Sequence, residues 1–471
     1  MQSRIPLLEA LDKMAGSLPM HMPGHKRNPL WGDAGIGFLD RKLYELDFTE
    51  VAGLDDLHAP QGVIGEAQAL AADCFHAKHT FFLVNGASVG MMAAVMSCCG
   101  EGNKILLPRN AHRCVFEALV LSGASPVWYR PQYDDELALP VEPCSEQVEE
   151  LIRQHRPKAM VLINPTYHGA ACDSSLLGKA GSSNVVTIVD EAHGSHFLFD
   201  HRLPRSALEA GADMVVHSTH KTLGSLTQTG LLHLGTDNPG PEQVGKVLSL
   251  LQSTSPSYLL MASLDAMRGE LAARGNTIVG RCVDLALELR SRIRSIPGFS
   301  CGELKCRAGC DPTKILLRSS QMSGRDLGEI LRCEYGIFAE IEDERFILLM
   351  VTVGDTQESI DRLVSALKDI SGRKHHRNPP GRQLVFDSLP EVVLTPRQAF
   401  SLQGQKCSLK DSAGKISGSL VVPYPPGVPL LCPGERISRE IVEYIYSIKA
   451  NNHHLQGMDC TGDLKLFVLE C

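Results

Sequence analysis

Five short apolar runs, each stopping at polar side chains, constrain this chain more than any other feature. His79-Thr80-Phe81-Phe82-Leu83-Val84 stops at Asn85-Gly86-Ala87-Ser88. Lys104-Ile105-Leu106-Leu107-Pro108 stops at Arg109-Asn110-Ala111-His112. Ala159-Met160-Val161-Leu162-Ile163 stops at Asn164-Pro165-Thr166. Val185-Val186-Thr187-Ile188-Val189 stops at Asp190-Glu191-Ala192-His193, and Met214-Val215-Val216-His217 at Ser218-Thr219-His220-Lys221. Runs of this length and bulk read as buried strands. Helical patterns lie between them, so the chain reads as βαβ units in an α/β fold with a mostly parallel sheet. Such a sheet gathers its polar strand ends on one edge, where open α/β sheets bind ligands.

At 471 residues the chain exceeds one simple core, and length suggests roughly two to four domains. A net charge of -8 argues against a nucleic-acid partner, which calls for basic patches. The basic cluster Arg373-Lys374-His375-His376-Arg377 reads as a solvated linker. No apolar stretch approaches the length of about eighteen residues that spans a membrane, and the first residues lack a signal peptide's apolar core. The expected location is therefore cytoplasmic. The fifteen cysteines are odd in number, and C-x4-C-x3-C at Cys301, Cys306 and Cys310 matches no familiar metal pattern. Reduced thiols and no metal are expected.

Residues 1–45 read as an arm with the turn Met22-Pro23-Gly24-His25-Lys26, which either approaches an anion or is exposed loop. Residues 46–270 hold the strand–helix alternation, with Leu231–Leu234 as a returning strand. A long amphipathic helix begins near Leu259, with an interruption expected at Gly275-Asn276. Residues 271–375 form a smaller α+β domain. Residues 376–471 form a last unit, in which the prolines of Val421–Glu435 exclude regular structure and give a stiff loop.

Two strand ends carry a pair with particular chemistry. Pyridoxal phosphate needs a lysine amine for its aldehyde and a carboxylate opposite its ring nitrogen, and Lys221 and Asp190 offer both. The Gly86 turn, leading into a helix with Ser88, directs N–H groups and a hydroxyl at an anion. Each feature alone also has a bland reading, as a surface lysine, a helix cap or a tight connection.

Taken together, the motifs resemble the short form of the fold-type-I, pyridoxal-phosphate-dependent ornithine/lysine/arginine decarboxylases. They are MPGHK (22–26), GLDDLH (53–58), FFLVNGASVG (81–90), RNAHR (109–113), NPTYHG (164–169), DEAHG (190–194), STHKTLGSLTQT (218–229), TSPSYLLMASLDAMR (254–268) and PYPPGVPLLCPGE (423–435). The resemblance implies an aspartate-aminotransferase-like large domain with a small α+β domain and a C-terminal domain. It implies that Lys221 carries the cofactor and that Asp190 keeps its ring nitrogen protonated. Ala192 and His112 would pack on its two faces, and Ser88, Ser218 and the Ala87 backbone would bind its phosphate. His193 and His220 complete the set, with His220 near the phosphate or the reacting bond. Ala87 departs from relatives with Ser or Thr there, which removes a hydrogen bond to a charged group worth about 1–3 kcal/mol.

The implied reaction is α-decarboxylation of arginine, lysine or ornithine in polyamine biosynthesis, with a lean to arginine giving agmatine. Glu435 is the first candidate partner for the substrate's distal cation, with Asp55 and Asp56 behind it and Ser253 and Thr254 adding polar contacts. A guanidinium would ask for a bidentate partner, an ammonium only for a point charge. A homodimer or higher homo-oligomer is implied, with Thr227-Gln228 or Ser255-Pro256 reaching a neighbour's site. The competing readings are another fold-type-I reaction, by an aminotransferase or lyase, and a non-catalytic regulatory homologue.

Overall fold

A computed structural model describes residues 2, 4–14, 20, 22–23, 26, 41–373, 389–424, 428–450 and 454–470. Gly24-His25 of the early basic turn, most of the linker from Gly372, and Pro425–Gly427 of the proline-rich loop lie outside the described residues. The chain divides into two compact units. The first comprises Met1–Ser97, Val189–His201 and Arg205–Gly280, and the second Cys98–Ile188, Arg202–Pro204 and Arg281–Cys471.

The larger sheet starts with β1 (His79–Leu83), β2 (Lys104–Pro108) and β3 (Ser125–Tyr129). After a hairpin of β4 (Pro131–Tyr133) and β5 (Pro140–Pro143), it continues with β6 (Ala159–Ile163), β7 (Val186–Asp190), β8 (Met214–His217) and β9 (Gly230–Leu234). The strand order is β1-β9-β8-β7-β6-β2-β3. β2 runs parallel to β3 and β6, while β9 runs antiparallel to β1 and β8. All four residues of β8 and all five of β9 are buried, which explains their near-continuous apolar character.

In the first unit, β1 is an edge strand with backbone groups to satisfy. Two buried glutamines do this. Gln68 Oε1 accepts the Phe82 N–H at 2.8 Å, and Gln252 accepts the Val84 N–H at 2.8 Å while donating to Phe82 O at 3.2 Å. The helix Gly86–Cys98 follows β1 and packs closely on the sheet. A Cβ at Gly90 would lie 2.6 Å from Leu83 Cδ1 and 3.0 Å from Val216 Cγ1. The long helix Tyr258–Arg294 breaks at Arg274, beside the expected interruption. There a Cβ on Gly275 would meet Phe199 Cδ1 at 2.6 Å, so only glycine admits that ring.

The second unit holds a four-stranded antiparallel sheet of β10 (Phe299–Gly302), β11 (Lys314–Ser319), β12 (Ile341–Glu342) and β13 (Ile347–Met350), in the order β10-β11-β13-β12. The helices Gly324–Tyr335 and Gln357–Ser371 lay Leu327, Leu331, Ile360 and Leu367 into a core with Ile315, Leu317, Ile347 and Leu349. Ser323 and Thr356 cap these helices, each accepting a backbone N–H of the first turn. Towards the C-terminus come β14 (Gly404–Ser408), β15 (Val422–Tyr424), β16 (His454–Gln456) and β17 (Lys465–Leu469). β15 corrects the expectation that prolines exclude regular structure there. It pairs with β16 alone, with Pro423 opposite Leu455, and an edge strand tolerates a residue lacking its N–H.

Candidate active site

Most of the residues singled out at the strand ends fall within the first unit. β8 is followed by Ser218, which is buried, and the single helical turn Thr219–Thr222 carries His220 and Lys221. Lys221 Nζ lies 3.1 Å from His193 Nε2. These two nitrogens sit on segments 28 residues apart in sequence, one after β7 and one after β8. A lysine must shed a proton to act as a nucleophile, and an imidazole nitrogen at this distance can take it. Asp190 ends β7, and its Oδ1 accepts the Ala192 N–H at 3.2 Å, which orients the carboxylate and the alanine together.

The protonation of His220 follows from its partner. Its Nδ1 lies 2.7 Å from Thr229 O, and a carbonyl only accepts, so Nδ1 carries the proton. Burial lowers the pKa of this imidazole; the Thr229 carbonyl raises it, and the charge of Lys221 lowers it further. The net direction favours the neutral ring, with Nε2 as a bare lone pair.

The start of the helix Gly86–Cys98 carries the turn expected to face an anion. Gly86 adopts φ +83°, open to glycine, and its N–H donates to Gln228 O at 2.8 Å. Ala87 is buried and Ser88 half-buried. A Cβ on Gly230 would lie 2.6 Å from His217 O and 3.3 Å from Ala87 N. Gly230 is therefore the close-packed point where the start of this helix meets the end of β8. The set comprises N–H groups at a helix start, the Ser88 and Ser218 hydroxyls, a lysine amine paired with an imidazole, and a carboxylate. It fits a phosphate-bearing aldehyde with a basic ring nitrogen, as pyridoxal phosphate is.

Behind these residues runs a buried polar chain that sequence reasoning missed. Glu191 Oε2 accepts His217 Nε2–H at 2.9 Å. His217 Nδ1 lies 3.1 Å from His233 Nε2, and His233 Nδ1 lies 2.7 Å from Thr80 Oγ1. Glu191 also accepts the Ala207 N–H at 2.8 Å and the Ser206 hydroxyl at 3.3 Å. Burial beside His217 holds the His233 imidazole well below its ordinary pKa, so it is neutral and has one N–H to give. Its N–H serves one neighbour and its lone pair the other, and either order leaves every member satisfied. Glu191 adjoins Asp190, and His217 adjoins Ser218, so the chain fixes both strand ends from beneath. The available signal was two histidines inside otherwise apolar strands.

The remaining candidates are placed differently. His112 belongs to the second unit, where it caps the helix Arg113–Ser122 by accepting the Cys114 N–H on Nδ1 at 3.3 Å. The structure corrects the substrate role expected of Glu435. Its carboxylate is buried and already clasped by Arg109 at 2.6 and 2.8 Å, with the Cys432 N–H at 2.8 Å. A distal cation would have to displace a guanidinium that also donates to Leu430 O at 2.9 Å and lies 5.1 Å from the Trp128 ring centre. Burial opposes the charge on Arg109, but Glu435 outweighs it and raises the pKa above the ordinary value.

Asp55 is likewise occupied, which removes it as a substrate partner. It is buried, and its carboxylate accepts the N–H groups of Asp56, Gln61, Gly62, Ile64 and Gly65, spanning a loop and a helix start. Burial raises its pKa, yet these donors bring it below the ordinary value. Asp56, Ser253 and Thr254 are exposed. His58 brings the two segments together, donating its N–H to Asp56 Oδ1 at 2.8 Å and bonding Ser253 O through Nε2 at 2.8 Å. Among the described residues, no group of three or more His, Cys, Asp or Glu is arranged for a metal, and no helix is long and apolar enough to cross a membrane.

Comparisons with known proteins give the geometry its context. The family description "Orn/Lys/Arg decarboxylase, major domain" matches residues 5–308, and that of the family's C-terminal domain matches residues 381–461. The chain is similar to proteins named arginine decarboxylase from Bacillus subtilis and Bacillus anthracis. It is 38% identical to the first, over 94% of each chain, and 37% identical to the second, over 94% of this chain and 93% of the other. In structure it resembles the lysine decarboxylase of Francisella novicida, with a TM-score of 0.86 and 18% identity, over 99% of this chain and 81% of that one.

Proposed function

We propose, for a chain that belongs to the Orn/Lys/Arg decarboxylase family, that the basic amino acid it decarboxylates is arginine, giving agmatine and carbon dioxide. Family and relatives make the protein a pyridoxal-phosphate-dependent carboxy-lyase. The lean to arginine rests on one observation: the relatives at 37–38% identity carry that name, whereas the lysine decarboxylase matched in structure is 18% identical.

When bound, pyridoxal phosphate supplies an aldehyde for the substrate amine and a ring that takes up the electrons left when carbon dioxide departs. The chain's own residues hold and serve it. The helix start at Ala87, with the Ser88 and Ser218 hydroxyls, binds the phosphate. Asp190 faces the ring nitrogen and keeps it protonated. Ala192 would pack on one face of the ring. His193 takes the proton that Lys221 must lose. His220, with Nδ1 tied to Thr229 and Nε2 bare, accepts hydrogen bonds, so the proton that replaces the carboxylate on Cα falls to Lys221. Asp56, with Ser253 and Thr254 across the His58 bridge, receives the distal cation.

We place this reaction in polyamine biosynthesis and in the cytoplasm, in a homodimer or higher homo-oligomer in which Thr227-Gln228 or Ser255-Pro256 reaches a neighbour's site. The working division is an arm (1–45), a cofactor-binding domain (46–270), a small domain (271–375) and a C-terminal domain (376–471).

The test is an assay of the purified protein with arginine, lysine and ornithine, identifying the amine formed. Agmatine from arginine at the highest kcat/KM is expected. A preference for lysine or ornithine would overturn the substrate, and keto-acid production without carbon dioxide would overturn the reaction.

A further inference from the structure

The turn between β10 and β11 contains two cysteines that the proposed reaction does not use. Leu304–Cys310 folds back so that Cys306 Sγ and Cys310 Sγ lie 2.7 Å apart, inside van der Waals contact although both are free thiols. Both thiols also face Leu304 O, at 3.9 and 3.5 Å, and Cys306 Sγ reaches Gly309 O at 3.0 Å. Gly309, at φ +88°, makes the fold-back possible. The rest of the turn is anchored, since the Ala171 N–H donates to Gly309 O at 3.0 Å and the Asp311 N–H to Gly169 O at 2.8 Å. The two sulfurs are therefore already held within reach of each other. Both cysteines are half-buried, between exposed Lys305, Arg307 and Gly309.

Their chemistry sets them apart from the thiols that burial disables. Burial pushes the Cys74 thiol up to about 11 and those of Cys99, Cys172 and Cys282 up to about 12, which leaves them inert. Cys306 moves the other way, because the hydrogen bond from Cys310 stabilises its thiolate, and Cys310 rises in consequence. One sulfur is thus the nucleophile and its neighbour the proton donor.

We propose that Cys306 and Cys310 form a reversible dithiol–disulfide modification site, oxidised by a peroxide. The Cys306 thiolate attacks a peroxide oxygen, breaking the O–O bond, becoming a sulfenic acid and, with hydrogen peroxide, releasing one water after protonation. Cys310 then attacks that sulfur, the S–O bond breaks, and a second water leaves as the S–S bond forms. The two thiols lose two electrons and two protons to the peroxide, and a small dithiol returns them.

The experiment treats the purified holoenzyme with one equivalent of hydrogen peroxide, alkylates the remaining thiols and digests with trypsin without reductant. Cleavage after Lys305, Arg307 and Lys314 separates Cys306-Arg307 from Ala308–Lys314, so only a disulfide can join them. The expected result is one joined species, lighter than the two free peptides by two hydrogens, that disappears with dithiothreitol and in Cys306→Ser. Cys310→Ser should instead leave a sulfenic acid on Cys306, trapped by dimedone. Alkylated Cys306 and Cys310 after treatment, or a different pair oxidised first, would overturn the proposal.

Discussion

Two buried carboxylates, Glu191 in the first unit and Glu435 in the second, are held in opposite ways. In the first, Glu191 meets a chain of His217, His233 and Thr80, each link a single hydrogen bond. In the second, Glu435 meets one guanidinium through both oxygens, and Arg109 is further held by an aromatic ring and a carbonyl. The first arrangement passes position along a line of side chains to Asp190 and Ser218, the residues assigned to the cofactor. The second closes on itself and joins the end of β2 to the loop before Glu435. A chain of single bonds can be cut one link at a time, whereas a bidentate buried pair fails as a whole.

The largest expected effect therefore belongs to Glu435→Gln, which leaves the Arg109 charge buried without a counter-ion. It should cost about 3–5 kcal/mol in urea unfolding while the KM for arginine of the folded fraction stays unchanged. A raised KM with normal stability would return Glu435 to the substrate site. Glu191→Gln sets an amide donor against the donors of His217 and Ala207. It should cost about 1–3 kcal/mol and weaken cofactor retention on desalting, followed by visible absorbance. Loss of stability with full retention would mean that the chain does not position the site.

The next effect is a pH dependence in the second unit. Burial, reinforced by the charge on Lys314, pushes the His168 imidazole down to about 3 from an ordinary 6.5. Between those values the unfolded chain binds more protons than the folded one. The stabilisation is whole above 6.5 and is lost as pH falls toward 3, by up to about 1.4 kcal/mol per pH unit. Unfolding free energies measured across that window should fall less steeply in His168→Leu, and an unchanged slope would refute the assignment. The smallest effect is expected of Thr80→Val, at the far end of the chain from Glu191. It removes the last link, at roughly 1 kcal/mol, and should leave the cofactor spectrum unaltered. A changed spectrum would mean that position is carried through the full length.

The strands, their order along the chain and the polar edge were legible because apolar runs and their polar stops are local signals. Lys221 and Asp190 stood out for the same reason. The partners of buried carboxylates were not legible, because Glu435 meets a residue 326 positions away and His217 meets Glu191 across 26. A loop carboxylate looks alike in sequence whether it faces a substrate or a buried arginine. The GLDDLH stretch shows this within two residues, since Asp55 is consumed by five backbone donors while Asp56 remains exposed. β15 was missed because prolines forbid a central strand but not a two-stranded edge.

The role proposed for Lys221, just after β8, is to carry the cofactor. Borohydride reduction of the protein loaded with pyridoxal phosphate, followed by peptide mapping, tests it directly. One pyridoxyl group per chain, fixed on Lys221 Nζ and absent from Lys221→Ala, is the predicted result. A label on another lysine, or none on a protein that still releases carbon dioxide from arginine, would contradict it.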